Sequence, residues 1–376
     1  MRILFCDTQA TRLSAPLWYR VSLNLANVLG KRGHEVYCLL PRYPLSFNPW
    51  GNIIFVRSLN ELQGSFDIVQ TSQSLRFTKN TVNLASKLNA KPVAWCFQDL
   101  FLDKQALGYV IRYELGVLKK IKRRFLYHLA EAIIPGSLRV SRDPTLNFVV
   151  STTHLKGQFI SAGIAPSRTF VVPLGVDTQT FSPISDTAQA ALKSKIGING
   201  RVVLFPGGYN ALRGIGTITR VFEIIKKGGR DIQPILALFN APDPFKGYRN
   251  LGFRQDLPEI LNLADIVCLP YRSTNQMTSP PLTMLEAMSC GCTVISTDVG
   301  ALPEVIDSGK DGVLIHRGSE SKTAQEMAQA IISLLDDREQ RERLGREARL
   351  KILGKHSLDE MAKGFELAYN QILTQA

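Results

Sequence analysis

A polar, proline-rich stretch near residue 280 runs directly into an apolar segment with helical character. Its residues are Thr278, Ser279, Pro280 and Pro281. Backbone amides at the N-terminus of a helix bind anions, and the helix dipole adds to that attraction. Glu286 lies about one turn inside the apolar segment, where its carboxylate can accept hydrogen bonds from vicinal hydroxyl groups. Because phosphate and ribose together make a nucleotide, this pattern predicts a binding site for a nucleotide-sugar.

The apolar run at residues 202–206 predicts a strand. The run ends in Gly207 and Gly208. Glycine lets the backbone approach a bound group closely, because it has no side chain. A glycine pair alone is a weak signal, since many turns contain one.

The elements that must position these residues alternate between strand-like and helix-like runs. Residues 293–297 and 313–315, for example, are predicted to be strands. Such alternation predicts an α/β fold in which parallel sheets are covered by helices. At 376 residues the chain is too long for one ordinary core, so two domains are expected. Residues 174–183, rich in glycine, proline and small polar residues, are predicted to be the hinge. Two doubly wound domains in succession predict a ligand cleft between the carboxyl edges of their sheets.

Charge is distributed unevenly along the chain, whose net charge is +13. Residues 1–175 contain 22 Lys and Arg against 9 Asp and Glu, whereas residues 176–376 contain 23 of each class. The positive surplus of the N-terminal half predicts a polyanionic partner or surface for that half alone. A nucleic acid is not expected there, because the sequence contains no recognised nucleic-acid-binding module.

One basic segment stands out within that half. Its apolar residues form a single helical stripe at every fourth position: Tyr113, Val117, Ile121, Phe125 and Leu129. The other side carries five cations: Lys119, Lys120, Lys122, Arg123 and Arg124. One interpretation is a domain helix with a solvated basic face. The other is contact with anionic lipid headgroups, worth about 1 kcal/mol for each cation near the surface.

Composition favours a globular protein without a membrane span. Hydrophobic residues make up 45 % and charged residues 20 % of the chain, and no apolar run approaches the roughly 20 residues that a spanning helix needs. The first strand follows Met1 without a signal-peptide pattern, and the six cysteines mostly lie in apolar runs, as in reducing compartments. We therefore expect a cytoplasmic protein. No metal site is expected, because Cys290 and Cys292 have no second Cys/His pair at zinc-like spacing.

The stretch from Glu286 to Gly300, together with Glu304, resembles the donor-site signature of family-4 glycosyltransferases. Other segments agree with the family in order and spacing: residues 32–36, 171–177, 181–183, 204–214 and 251–254. The resemblance implies a GT-B fold with two Rossmann-like domains. Residues 1–175 would bind the acceptor, residues 176–356 the nucleotide-sugar, and residues 357–376 would form a helix that crosses back to the first domain.

The same resemblance implies an activity. A sugar would pass from a nucleotide-diphosphate sugar to an acceptor with retention of configuration, without metal or cofactor. The acceptor would be a glycan or lipid-linked, as in polysaccharide or glycolipid biosynthesis. Together with the basic N-terminal half, this favours a peripheral location at the inner face of a membrane.

Individual roles also follow from the resemblance. Glu286 would bind the ribose hydroxyls, and Arg213, standing where the family usually has a lysine, would neutralise the departing diphosphate. The backbone from Ser279 to Leu282 would hold the phosphates. The remaining implied donor-site residues are Gly207, Gly208, Phe253, Arg254, Thr278, Pro280 and Pro281. On the acceptor side the implied residues are Gln98 and Asp99.

Three positions depart from the family pattern. Thr278 replaces a usual glutamate, Gly208 a usual arginine and Gln98 a frequent histidine. Each replacement removes a charge-assisted hydrogen bond, which is stronger than a neutral one. The departures motivate an alternative function, a catalytically inactive subunit that binds nucleotide-sugar or glycan. A nucleotide-dependent epimerase or phosphorylase on the same scaffold is a third hypothesis.

Overall fold

The computed structural model describes most of the chain. The described residues are 1–6, 17–39, 51–72, 78–99, 143–229, 231–239, 241, 243, 245–252, 256–274 and 277–375, with only the backbone described at 17–20, 78, 79 and 239. Two groups of predicted site residues lie outside these ranges. They are Phe253 and Arg254, and the five cations Lys119, Lys120, Lys122, Arg123 and Arg124.

Backbone contacts divide the described residues into two compact units. The first unit comprises those within Met1–Leu100, Ile134–Gly175 and Leu358–Ala376, and the second those within Val176–Ser357. Each unit is built on one parallel sheet, which confirms the predicted α/β class with two Rossmann-like sheets. Among the described residues, no helix combines the length and apolarity that crossing a bilayer requires.

The first unit contains a seven-stranded sheet in the order β3-β2-β1-β4-β5-β6-β7. Its strands are β1 (Arg2–Phe5), β2 (Glu35–Leu39), β3 (Ile54–Val56), β4 (Ile68–Ser72), β5 (Lys91–Cys96), β6 (Asn147–Val150) and β7 (Thr169–Val171). Strands β4 and β6 are buried at every residue. Both faces are covered by helices, which is why these strands read as continuous apolar runs.

Helices of the first unit come from both ends of the chain. They are α1 (Leu17–Lys31), α2 (Thr78–Lys87), α3 (Thr153–Ser161) and the final helix α11 (Leu358–Thr374). An ion-pair cluster joins α11 to the turn after α1. Arg32 donates from Nε and Nη2 to the two carboxylate oxygens of Glu366, each at 2.8 Å, and His34 Nε2 lies 2.8 Å from Glu366 Oε1. Hydrogen bonds from Arg32 lower the pKa of Glu366 to about 2.

Glu366→Gln should destabilise the protein by about 1–2 kcal/mol at pH 7, the worth of a partly exposed bidentate pair. Because the folded pKa lies below the unfolded one, this stability is fully present above the unfolded pKa of Glu. It is lost as pH falls through the folded value of about 2. Urea unfolding should therefore show a difference in the free energy of unfolding between variant and wild type that is smaller at pH 3 than at pH 7.

Glu360→Gln is the matched control for this prediction, because Glu360 pairs with Lys363 three residues away on the exposed side of the same helix. Such pairs contribute only about 0.2–0.5 kcal/mol. A Glu366→Gln protein as stable as the Glu360→Gln protein at pH 7 would contradict the proposed contribution of the cluster.

The second unit contains a six-stranded sheet in the order β10-β9-β8-β11-β12-β13. Its strands are β8 (Arg201–Gly208), β9 (Ile232–Phe239), β10 (Arg249–Asn250), β11 (Ile266–Leu269), β12 (Thr293–Thr297) and β13 (Val313–Ile315). Its helices are α4 (Asp186–Lys195), α5 (Ile215–Lys227), α6 (Leu257–Asn262), α7 (Leu282–Ser289), α8 (Leu302–Val305), α9 (Glu320–Asp336) and α10 (Arg338–Lys355). The predicted strands at 293–297 and 313–315 coincide with β12 and β13.

Side chains on one face of this sheet form an apolar cluster with two helices. Val203 and Phe205 of β8 are fully buried, and Phe222 of α5 and Ile331 of α9 pack in the same apolar cluster. The pairing of α5 with α9 covers one face of β8. A rigid β8 matters for function because the strand ends in Gly207 and Gly208.

Candidate functional site

Strand order in the second sheet reverses between β8 and β11. From β8 the chain passes to β9 and β10 on one side and then returns to β11 on the other, where Ile266 and Val267 pair with Val203 and Leu204. Ligands of doubly wound sheets bind outside the carboxyl ends of the strands at such a reversal. The loops that follow β8 and β11 are therefore the candidate site.

These two loops are fixed against each other. The backbone N–H groups of Arg272 and Ser273 donate to Leu212 O at 2.7 and 3.3 Å. Gly214 has φ +82°, and a Cβ there would lie 1.9 Å from the carbonyl oxygen of Pro270. Only glycine fits such an approach, so the turn after β8 lies directly against the end of β11.

Arg213 lies over the glycine pair. It closes a 3-10 turn, Ala211–Arg213, whose first turn is capped by Asn210 Oδ1 accepting from Leu212 N–H at 2.7 Å. Gly207 has φ +136°, and a Cβ there would lie 2.8 Å from Arg213 Nη1. A Cβ at Gly208 would lie 3.7 Å from Arg213 Nε. The missing side chains thus make room for the guanidinium group at the end of β8.

Glu286 lies in α7, where every residue is buried. Its own side chain belongs to the buried charged groups, with the residue only 6 % exposed. Arg349 of α10 holds the end of this helix by donating from Nη1 to Ser289 O and Oγ at 2.7 and 2.8 Å. A carboxylate held in a buried helix is well suited to accept hydrogen bonds in a fixed direction.

The loop before α7 offers fewer free amide donors than the predicted anion site requires. Pro280 and Pro281 have no N–H group. The N–H of Leu282 donates to Thr278 Oγ1 at 3.0 Å. Thr278 therefore acts as a side-chain cap for the first turn of α7, and the predicted amide cradle from Ser279 to Leu282 loses three of its four donors.

Tyr271 is a buried aromatic residue just after β11. Its side chain follows β11 and is fully buried. Burial raises the pKa of Tyr271 to about 12, while the positive charge of Arg213 lowers the pKa and the negative charge of Glu286 raises it. Both charges therefore act on one phenol at the point of strand reversal. Sequence reasoning missed Tyr271, because an aromatic residue just after an apolar strand is usually part of a core.

The predicted acceptor-side residues lie in the first unit. Gln98 and Asp99 follow β5 at the carboxyl edge of its sheet. Asp99 Oδ1 lies 3.9 Å from His154 Nε2 at the start of α3, and the Asp99 side chain is only 5 % exposed. Thr152 caps α3 by accepting from Leu155 N–H at 3.1 Å. Sequence reasoning gave His154 no role, since its proximity to Asp99 arises only in the folded sheet.

Comparison with known proteins relates the second unit to a glycosyltransferase family. Residues 201–337 match the family model described as Glycosyl transferases group 1. This region of the chain is similar to the group 1 glycosyltransferases. The matched segment begins at β8 and contains Gly207, Arg213, Tyr271 and Glu286.

Curated relatives of this chain include two from Bacillus. N-acetyl-alpha-D-glucosaminyl L-malate synthase of Bacillus anthracis is 22 % identical over 94 % of this chain and 93 % of its own length. Spore coat protein SA of Bacillus subtilis (strain 168) is 26 % identical, and there the match covers 54 % of this chain and 59 % of the relative.

Solved structures share the fold of both units. Anabaena Alr3699/HepE in complex with UDP-glucose has a TM-score of 0.68 at 15 % identity, covering 98 % of each chain. WaaG, a glycosyltransferase involved in lipopolysaccharide biosynthesis, has a TM-score of 0.63 at 15 % identity, covering 100 % of each chain. The predicted GT-B fold is thereby confirmed, and the match of residues 201–337 agrees with the predicted glycosyltransferase. Membership of family 4 and a cleft between the two units stay predictions.

Proposed function

We propose that this protein is a group 1 glycosyltransferase, which transfers a hexose from a nucleotide-diphosphate sugar to an acceptor. The observation that carries the proposal is the position of Arg213 over Gly207 and Gly208 at the carboxyl end of β8, where the strand order reverses, with Glu286 buried in α7 of the same unit. A cation and a carboxylate at one sheet edge match a diphosphate and a ribose. The structures of Anabaena HepE with UDP-glucose and with UDP support a nucleotide-sugar as the donor.

The chemistry of the step assigns a role to each group. As the bond between the anomeric carbon and the diphosphate oxygen breaks, negative charge grows on the diphosphate. The Arg213 guanidinium stabilises that charge through N–H···O bonds, so that the departure needs no metal ion or cofactor. Glu286 accepts the ribose hydroxyls and fixes the nucleotide. The acceptor hydroxyl then bonds to the anomeric carbon on the face that the diphosphate leaves, which retains the configuration. Its proton passes to the departing diphosphate oxygen on that same face.

Thr278 contributes a neutral contact where a glutamate is usual in the family that the chain resembles. Its oxygen accepts from Leu282 N–H, and a hydroxyl has one hydrogen of its own to donate. We assign that hydrogen to a hydroxyl of the donor sugar. A donating group in place of a carboxylate favours a sugar that presents an acceptor oxygen at this position.

The first unit supplies the acceptor side of the proposal. Gln98 and Asp99 at the end of β5, with His154 beside Asp99, offer hydrogen-bonding groups to an acceptor hydroxyl. The basic N-terminal half and the likeness to WaaG support a lipid-linked acceptor at the cytoplasmic face of a membrane. Sedimentation with vesicles of phosphatidylserine and phosphatidylcholine tests this part. Absence of binding to these vesicles at low salt would contradict the proposed association with a membrane.

A donor panel tests the catalytic proposal. The purified protein is incubated with UDP-, GDP-, ADP- and dTDP-hexoses, and release of nucleoside diphosphate is measured alongside binding by calorimetry. An active transferase hydrolyses its donor slowly even without acceptor, and Arg213→Ala should abolish that release. Binding without release across the panel would favour the inactive subunit. Absence of any nucleotide binding would overturn the proposed function.

A further inference from the structure

The segment after β11 fixes the turn that carries Arg213. The backbone N–H of Arg272 donates to Leu212 O at 2.7 Å, and Leu212 directly precedes Arg213 in the chain. Within the turn itself, Arg213 N–H donates to Asn210 O at 3.1 Å. Both bonds hold the backbone from which the Arg213 side chain extends. The position of its guanidinium group therefore depends on what holds the backbone of Arg272.

The loop after β13 holds Arg272 through two arginine side chains. Arg272 is buried, and its Nη2 donates to Gly318 O at 2.9 Å, with Nη1 3.5 Å from Thr323 Oγ1. A buried guanidinium group destabilises a fold unless its N–H groups are hydrogen-bonded. In the opposite direction, Arg317 Nη1 donates to Arg272 O at 2.7 Å. Each arginine thus donates to a backbone carbonyl group of the other segment.

The backbone of Arg317 is fixed by the residue that follows β12. Asp298 Oδ1 accepts from Arg317 N–H at 2.8 Å, and Asp298 Oδ2 lies 2.8 Å from His316 Nδ1. The segments after β11, β12 and β13 are therefore joined in one series of hydrogen bonds at the carboxyl edge of the sheet. That series ends at the carbonyl oxygen of Leu212, one residue before the proposed phosphate ligand.

We propose that Arg317 is a positioning residue for Arg213 and acts through the backbone of Arg272 and Leu212. Without the bond from Arg317, the segment after β11 can shift, and the N–H group that fixes Leu212 shifts with it. A displacement of about 1 Å at a group that stabilises developing charge can lower a rate by roughly 100-fold. This inference rests on the proposed function, because it assumes that Arg213 contacts the diphosphate.

Arg317→Met separates this role from a purely structural one. UDP carries the negative charge that grows on the departing diphosphate, whereas UMP lacks the phosphate that bears the leaving oxygen. The dissociation constant for UDP should rise about 3- to 10-fold, roughly the loss of one neutral hydrogen bond, because Arg213 keeps its charge but loses its alignment. The constant for UMP should not change. Calorimetry measures both, with the GDP/GMP and ADP/AMP pairs in parallel.

Two further variants test the route through Arg213. In an Arg213→Ala background, Arg317→Met should change the dissociation constant for UDP by less than about twofold, because residues that act through one group are not additive. Arg317→Lys should bind UDP within about threefold of the wild type, since an ammonium group can still donate one hydrogen bond to Arg272 O.

Arg341→Met is the matched control, because Arg341 makes a similar bond at the opposite edge of the same sheet. Arg341 Nη1 donates to Leu334 O at 2.9 Å, and Arg341 O accepts from Thr293 Oγ1 at the start of β12. Both Arg→Met variants lose bonds from a guanidinium group to a carbonyl group, so both should lower the thermal midpoint. Only Arg317→Met should weaken UDP binding.

Three outcomes would overturn the inference and leave the proposed function standing. They are unchanged UDP affinity in Arg317→Met, equal losses of affinity for UDP and UMP, and a loss that persists undiminished in the Arg213→Ala background. If the wild type binds none of the nucleotides, the proposed function fails first, and the inference fails with it.

Discussion

Arg213→Ala should lower kcat by about 10²- to 10³-fold, the effect of removing one preorganised donor from a developing anion. The guanidinium is the charged group that the glycine pair at the end of β8 accommodates, with Nη1 over Gly207. Because the negative charge on the diphosphate grows in the transition state, the loss should appear mainly in kcat rather than in KM for the donor. Initial rates over a range of donor concentrations measure both.

Arg213→Lys should retain part of that activity, since lysine keeps the charge but cannot form the bidentate hydrogen bonds of a guanidinium group. The matched control is Arg220→Ala. Arg220 lies on the exposed side of α5, where it pairs with Glu320, and its removal should leave both constants unchanged. If Arg213→Ala and Arg220→Ala had the same kcat, Arg213 would have no role in the departure of the diphosphate.

Glu286→Ala should weaken nucleoside diphosphate binding by about 1.5–3 kcal/mol, the range for hydrogen bonds to a charged group, which corresponds to roughly 10- to 150-fold in dissociation constant. Glu286→Gln should lose nearly as much, because an amide presents one acceptor oxygen in place of two. Calorimetric titration with UDP and with UMP measures the loss. It should be similar for both ligands, since the carboxylate contacts ribose and not phosphate.

Two controls accompany the Glu286 variants. Glu259→Gln changes an exposed acidic residue in the first turn of α6 of the same unit and should bind nucleotide like the wild type. Circular dichroism establishes that the variants at the buried position fold. Folded Glu286→Ala protein with unchanged affinity for UDP would remove the carboxylate from the proposed site.

Much of the second unit could be predicted from sequence, because its elements carry local signals. Strands β12 and β13 are short apolar runs between polar turns, and their predicted bounds match. The glycine pair after β8 was predicted from its position at the end of an apolar run. Helices α4 and α6 were missed. Helix α4 contains no buried residue, so periodicity gives no core face to detect, and α6 is only one and a half turns long.

The site itself was predictable only in part. Arg213 and Glu286 could be named because each stands in a recognisable stretch. Tyr271 follows a third stretch, and only the sheet order brings β8 next to β11. The amide cradle was overestimated, because Pro280 and Pro281 have no N–H group and because Thr278 accepts from the N–H of Leu282. The pairing of Asp99 with His154 likewise depends on neighbouring strands that are far apart in the chain.

The proposed donor residues Arg213 and Glu286 both come from the second unit, whereas the whole positive surplus of the chain lies in residues 1–175. Under the proposed function, substitutions in the N-terminal half can change the acceptor while they spare the residues that hold the departing diphosphate. Such an arrangement would let a lineage acquire new acceptors by drift or recombination in its N-terminal half.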